Sequence, residues 1–375
     1  MLLPILAVWP GANADDGAAI SDKVIKALAQ YTESQVPGLQ YVVVDAHRTL
    51  FEFAGGWADI QNQKAMSLDT TLMAYSMTKT YTATAILQLA QRGRLKLDDV
   101  IDRYLPQHAY GGHQITIRQL LNHTAGVPNP IPLRWVHLAE ENEGFDENAA
   151  LAQVVQENSK LSFAPGEKFS YSNIGYWLLG KIVEQASGQS YTNYVKANIL
   201  RPLAIAEQSM DFVIPTADRH ANGYLAKYSM MNLVKGFFID KKFLGGYEGK
   251  WLRLKSHQLN GPAFGGLVGT ARSFGRFLQD QLRSNSVLLN PETKKLMQTQ
   301  QTTGAGKIPM TLGWHIGQAH GLPYLFKEGG GGGFHSEMRL YPSRGIASVV
   351  MVNSTDFNTT GFLNRLDSAF LESLS

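Results

Sequence analysis

Tyr75-Ser76-Met77-Thr78-Lys79 leads into Thr80 to Arg92, a run with the pattern of a helix. A serine hydroxyl is a poor nucleophile at neutral pH and needs a base within hydrogen-bond reach. Ser76 and Lys79 are three residues apart at the helix start, so their side chains share one face. The Ser76 N–H would sit at the positive helix end, where it can stabilise negative charge. Alone the pattern is weak, because roughly one Ser-x-x-Lys is expected by chance in a chain of this size. An N-capping serine beside a solvated lysine would read the same way. The pattern occurs once here.

Two further stretches supply partners. Phe163-Ala164-Pro165-Gly166-Glu167-Lys168-Phe169-Ser170-Tyr171-Ser172-Asn173 joins a Pro-Gly turn to a Tyr-x-Asn just before a helix. A tyrosine near lysines can have its pKa lowered and shuttle protons, while an asparagine amide can orient the lysine and a substrate carbonyl. Tyr191-Thr192-Asn193 has the same spacing but opens an ordinary amphipathic helix, in which Tyr191 and Tyr194 are expected to fill core. Lys327-Glu328-Gly329 leads into Gly330 to Gly333 on a strand edge. A strand without side chains lets a substrate lie against it, and a free main-chain N–H there can complete an oxyanion hole with that of Ser76. A flexible hairpin tip is the plainer alternative.

Around these stretches the chain is organised in blocks. Ile20, Val24, Ile25, Leu28 and Tyr31 fall at helical spacing before Pro37-Gly38. Leu39 to Val44 and Leu50 to Gly55 read as a hairpin across Asp45-Ala46-His47-Arg48. From Ser76 to about Thr270 helices predominate, among them Ile117 to Asn122, Ile174 to Ala186 and Tyr191 to Ile199. Strands return in Trp314 to Gln318, Tyr324 to Lys327, Ser336 to Tyr341 and Ile346 to Asn353, followed by a helix from Gly361 to Leu374. The two ends are therefore expected to share one antiparallel sheet beside a helical insertion, with the site in the cleft between. The expected division is 15–75 plus 271–375 as an α/β subdomain and 76–270 as a mainly helical one. Within the latter, Tyr224 to Asn260, with Phe237-Phe238, Tyr247 and Trp251, reads as a variable pocket roof that could select acyl chains or simply pack as core.

Composition narrows the choice. At 375 residues and 44% hydrophobic content the chain buries a large core, and disorder is excluded as an overall state. A net charge of +3 is too weak to imply a nucleic-acid or membrane partner. The absence of cysteine excludes thiol catalysis, disulfides and Cys-ligated metals. Met1 to Trp9 followed by Ala12-Asn13-Ala14 resembles the tail of a secretory signal without its positive n-region, with a plain apolar arm as the alternative. Residues 1–14 are thus expected to be a signal remnant and the protein periplasmic or secreted, with a cytoplasmic location left open. No other stretch is long enough to span a bilayer.

The three motifs, in this order, resemble the signature of the serine β-lactamase and penicillin-binding-protein superfamily. The tyrosine form is similar to the class C-like branch, which includes family VIII carboxylesterases, D-aminopeptidases and acyltransferases. Ile115-Thr116-Ile117-Arg118-Gln119-Leu120-Leu121-Asn122-His123-Thr124-Ala125-Gly126 and Gly265-Gly266-Leu267-Val268-Gly269-Thr270-Ala271-Arg272-Ser273 extend the likeness. The resemblance implies an α+β, β-lactamase/transpeptidase-like fold with a five-stranded antiparallel sheet flanked by N- and C-terminal helices. It also implies that Ser76 is acylated, Lys79 transfers protons and Tyr171 is the general base. Asn173, Lys327, Gly329 and Gly330 would bind substrate, with the main-chain N–H groups of Ser76 and Gly330 as oxyanion hole. No metal or other cofactor is implied.

Glu328 departs from the family pattern, which has a small hydroxyl residue there. Its charge would repel a penicillin carboxylate unless Lys327 neutralises it or the side chain points away. An ester or small amide is therefore the expected substrate. β-Lactamase, D-alanyl-D-alanine carboxypeptidase or D-aminopeptidase activity, and a non-turnover penicillin-binding sensor, stay open. An α/β-hydrolase is disfavoured by the lack of Gly-x-Ser-x-Gly, and a zinc enzyme by the lack of His-Glu-x-x-His. His123, His315 and His335 are expected to be structural.

Overall fold

The protein is described from a computed structural model that covers residues 14–130 and 135–373. Met1 to Trp9 and the start of the signal-like pattern lie outside the described residues, as do the Phe237 and Phe238 side chains. Six helices organise the fold: α1 Ala14–Ser34, α2 Thr78–Gln91, α3 Asn173–Ser187, α4 Met230–Phe238, α5 Ala271–Leu282 and α6 Thr359–Ser373. The main sheet contains β1 Gly38–Asp45, β2 Thr49–Asp59, β3 Lys64–Ala65, β4 His315–Ala319, β5 Leu322–Gly331, β6 Phe334–Tyr341 and β7 Ile346–Val352. All neighbours are antiparallel, in the order β4-β5-β6-β7-β1-β2-β3.

The pairing of β1 with β7, from Leu39 opposite Val352 to Asp45 opposite Ile346, joins the N- and C-terminal parts in one sheet. That sheet is wider than the expected five strands. His320 and Gly321, both at positive φ, form the two-residue turn that folds β4 back onto β5, and the short β3 extends the other edge.

Strand β1 is apolar from Tyr41 to Val44 without alternation because the sheet is covered on both faces. Val42 and Val44 join Phe274, Phe277 and Leu278 of α5 in the larger core, whereas Tyr41 and Val43 join Phe362, Leu366 and Phe370 of α6 in the smaller one. Helix α1 adds Val24 and Leu28 to that second face. The start of α6 is pinned by a buried ion pair. Arg339 Nε donates to Glu337 Oε1 at 2.6 Å, and Glu337 Oε2 accepts from the Thr359 and Thr360 hydroxyls. Truncating one member of such a pair leaves an unpaired buried charge and costs about 3–5 kcal/mol.

The central block carries more β-structure than its helical pattern announced. Gly223–Ala226, Leu244–Glu248 and Trp251–Leu254 form a small antiparallel sheet within the roof segment. Tyr191 and Tyr194 are buried, as expected of core residues. Among the described residues no helix is long and apolar enough to cross a membrane.

Candidate active site

Ser76 lies in a 3-10 turn, Tyr75–Met77, that runs directly into α2. The turn is strained: Tyr75 has φ 45°, a left-handed conformation that a bulky residue adopts only when its surroundings impose it. Here the buried side chain imposes it, because the Tyr75 hydroxyl reaches Gly332 O at 2.9 Å and His257 Nε2 at 3.0 Å.

Strand β5 closes against this turn. Strand β4 pairs with β5 only as far as Phe326, so from Lys327 onward that edge of β5 is open. A Cβ on Gly329 would collide with the Ala74 carbonyl and stand 2.9 Å from Ser76 N, and one on Gly331 would enter the Tyr75 ring. Glycine at both positions is therefore a condition of the strand lying beside the serine. Gly329 to Gly331 end strand β5 beside the serine, and Gly332-Gly333 form the hairpin turn into β6.

Four stretches of the chain meet around the serine. Lys79 Nζ donates to Ser76 Oγ at 3.0 Å, to Asn173 Oδ1 at 2.7 Å and to the Phe264 carbonyl at 2.6 Å. The Tyr171 hydroxyl donates to Ser76 Oγ at 2.8 Å. Asn173 is the first residue of α3, capped by the Ser172 hydroxyl on Gly175 N, and its amide donates to Asn129 Oδ1 at 3.1 Å. Lys327 Nζ lies 5.1 Å from the centre of the Tyr171 ring and 3.3 Å from His315 Nε2. The Tyr171 ring is sandwiched between His123, centroids 4.4 Å apart, and His315, 6.0 Å apart.

The electrostatics follow from burial. Lys79 is fully buried, and burial first and the Lys327 charge second hold its pKa well below the ordinary lysine range. Burial lowers Lys327 to about 7. Tyr171 goes the opposite way from the sequence expectation: burial pushes its hydroxyl above its usual range and outweighs the lowering effect of the Ser76 hydrogen bond. Tyr171 is thus a neutral donor at physiological pH. His315, pushed down to about 2 by burial and by Lys327 and Lys79, is neutral and can accept from the Lys327 ammonium.

Glu328 points away from Ser76. Side chains alternate along a strand, so Glu328 leaves the face occupied by Lys327, and its carboxylate meets His335 Nε2 at 2.5 Å. That contact draws the Glu328 pKa down. The side chain is thus turned toward His335, although its charge is still felt at Tyr171, whose hydroxyl pKa it helps to raise.

Ser76, Asn173 and Gly330 line one cleft. Its walls are largely apolar, from Val136, Ile239, Phe243, Leu254, Leu259 and Phe264. Roof residues do line the pocket, but through Ile239, Phe243 and Leu254, while Tyr247 is exposed and Trp251 is buried. Sequence reading missed the Phe264 carbonyl and Asn129, and read His315 only as a structural residue. Asn129 stands between two prolines without any spacing relation to Ser76, and a carbonyl has no sequence signature. Among the described residues no group of three or more His, Asp or Glu is placed to hold a metal ion.

Comparison with known proteins gives the family and the fold. Protein flp of Staphylococcus aureus (strain N315) is 32% identical over 207 residues, covering 54% of this chain and 40% of flp. Penicillin-binding protein 4* of Bacillus subtilis (strain 168) is 34% identical over 160 residues, covering 42% of this chain and 34% of that protein. The chain thus spans less than half the length of these curated relatives. The solved structure of a D-amino acid amidase from Ochrobactrum anthropi SV3 superimposes with TM-score 0.77, at 21% identity, over 95% of this chain and 100% of that one, and shows the same fold. The Beta-lactamase family profile matches residues 22–369, and the chain belongs to that family of serine hydrolases.

Proposed function

We propose that the protein hydrolyses uncharged carboxylic esters, and secondarily small amides, through an acyl-enzyme on Ser76. The observation that carries this reading is Ser76 Oγ within hydrogen-bond distance of both Lys79 Nζ and Tyr171 Oη at the mouth of an apolar cleft. A lysine with a depressed pKa can be neutral at working pH. Neutral Lys79 keeps two N–H donors for Asn173 and Phe264 and turns its lone pair to Ser76, from which it takes the proton as Oγ attacks the carbonyl. The tetrahedral oxyanion is held by the main-chain N–H groups of Ser76 and Gly330. Tyr171 gives its proton to the departing alkoxide and recovers one from the Lys79 ammonium. Water then attacks the acyl-enzyme by the same route in reverse, Ser76 regains its proton, and the acid is released. Lys327 adds positive potential beside Tyr171.

Tyr171→Phe is expected to lower kcat about 10²-fold on an alkyl ester. The loss should be smaller on a p-nitrophenyl ester, whose leaving group needs no proton. Equal losses on both substrates would remove Tyr171 from leaving-group protonation.

The pH dependence has a definite sign. Ammonium at Lys79 blocks the base, and its folded pKa is lowered from ~10.4. Activity should therefore fall as pH drops through that depressed value and reach its plateau well below pH ~10. A kcat/KM profile on p-nitrophenyl acetate that keeps rising through pH ~10 would contradict this assignment.

β-Lactam hydrolysis is the second reading, favoured by the turning of Glu328 toward His335. A short-chain p-nitrophenyl ester, a chromogenic cephalosporin and D-amino-acid amides, assayed side by side, separate the readings. Turnover of the cephalosporin or the amides above that of the ester would displace esterase as the main activity.

A further inference from the structure

Helix α4 and its surroundings carry a surface unlike the rest of the molecule. Six large hydrophobic side chains are exposed among the described residues, and four of them, Tyr228, Met230, Leu233 and Tyr247, fall in this one segment. Met230 and Leu233 are three residues apart on α4, so they share a face, and they are 73% and 79% exposed. The Tyr247 hydroxyl contacts Asn232 Oδ1 at 3.2 Å, and Lys227 Nζ lies 5.7 Å from the Tyr228 ring and 5.9 Å from the Tyr247 ring. Met230 and Leu233 thus share one exposed apolar face, with Tyr228 and Tyr247 gathered around Lys227 in the same segment, and exposed apolar side chains concentrated in this way mark an interaction site.

The patch is flanked by positive charge at both ends of α4. Residues 227–255 contain seven basic and two acidic residues, a local excess that the net charge of +3 for the whole chain conceals. Lys227 lies before the helix, its N donating to Lys250 O at 2.8 Å while the Lys250 ammonium donates to Ser34 O, and Lys241 and Lys242 follow the helix. Lys242 is paired with Glu141, but Lys227 and Lys241 have no carboxylate in ion-pair range among the described residues. A short helix with an exposed apolar face and lysines around it has the chemistry of an element that lies in a membrane interface. A second copy of the chain fits less well, because a two-fold contact would press this basic segment against itself.

We propose that α4 and its flanking lysines dock the protein on an anionic lipid surface, with Met230 and Leu233 entering the acyl boundary and the lysines facing the headgroups. The docking is peripheral and crosses no bilayer. The segment continues into Ile239 and Phe243, which line the cleft, so the docked face adjoins the pocket. Docking itself does not depend on the ester-hydrolase reading.

The test is co-sedimentation of the full chain with phosphatidylglycerol vesicles and with phosphatidylcholine vesicles. Binding is expected to be at least ten-fold stronger to the anionic vesicles and to weaken as salt is raised. Met230→Glu/Leu233→Glu, and separately Lys227→Glu/Lys241→Glu, should each reduce it at least ten-fold while leaving the thermal unfolding midpoint unchanged. Absence of wild-type binding to anionic vesicles overturns the proposal. So does undiminished binding by both variants, or a dimer in solution that the Met230→Glu/Leu233→Glu variant dissociates, which would assign the face to a second copy. Failure of ester hydrolysis alone would leave these outcomes readable, because none of them measures turnover.

Discussion

Ser76→Ala is expected to lower kcat for ester hydrolysis by about 10⁴-fold or more, the scale on which nucleophile removal acts in acyl-enzyme hydrolases. The physical reason is that Lys79 and Tyr171 both converge on the same oxygen, at 3.0 and 2.8 Å. Without Oγ the route through an acyl intermediate is gone, and water would have to attack unaided in a site shaped for another nucleophile. What survives is the oxyanion hole and binding. Mass spectrometry supplies the second measurement: a slowly deacylating ester should add one acyl group to the wild type and none to the variant. Activity within about ten-fold of wild type would show that Ser76 is not the nucleophile.

Lys79→Met should be nearly as damaging, with about 10³-fold lost from kcat/KM. Methionine has a similar length and fills the buried space without a lone pair or a charge, so the loss measures proton transfer more than packing. Asn173 Oδ1 and the Phe264 carbonyl each lose a donor, at a cost of about 1–3 kcal/mol of stability apiece. Circular dichroism and the unfolding midpoint separate that cost from the chemistry. The decisive observable is the pH profile, whose acid limb should vanish together with the titrating amine. A folded Lys79→Met enzyme that retained both its rate and its acid limb would move the role of base to another group, with Lys327 first in line.

The three motifs were legible because each is a short run of residue types in a recognisable order. The elements around them were legible to within a few residues, since their hydrophobic periods are clean: the predicted helix 174–186 is Asn173–Ser187, and the predicted strand 39–44 is Gly38–Asp45. Sheet width was less legible. The six longer strands were read as runs, but the seventh, Lys64–Ala65, is two residues long and shows no alternation. The strands of the roof were hidden for a similar reason, because short strands interleaved with lysines and glycines show no sustained alternation.

Electrostatics divides in the same way. Sequence places Tyr171 near lysines and so suggests a lowered pKa, but burial, which the sequence does not display, reverses that direction. It shows Glu328 next to Lys327, while the alternation of a strand and the position of His335 across β6 decide where the carboxylate goes.

By itself, then, the sequence singled out Ser76, Lys79, Tyr171 and Asn173, which the structure brings together, and the strand that flanks them. Only the tertiary structure decided their working state. Which lysine is stripped of water, that the Phe264 carbonyl meets it, and which wall of the cleft is apolar all depend on contacts between segments up to 257 residues apart. Desolvation and hydrogen-bond direction are properties of such contacts and not of any one stretch of chain.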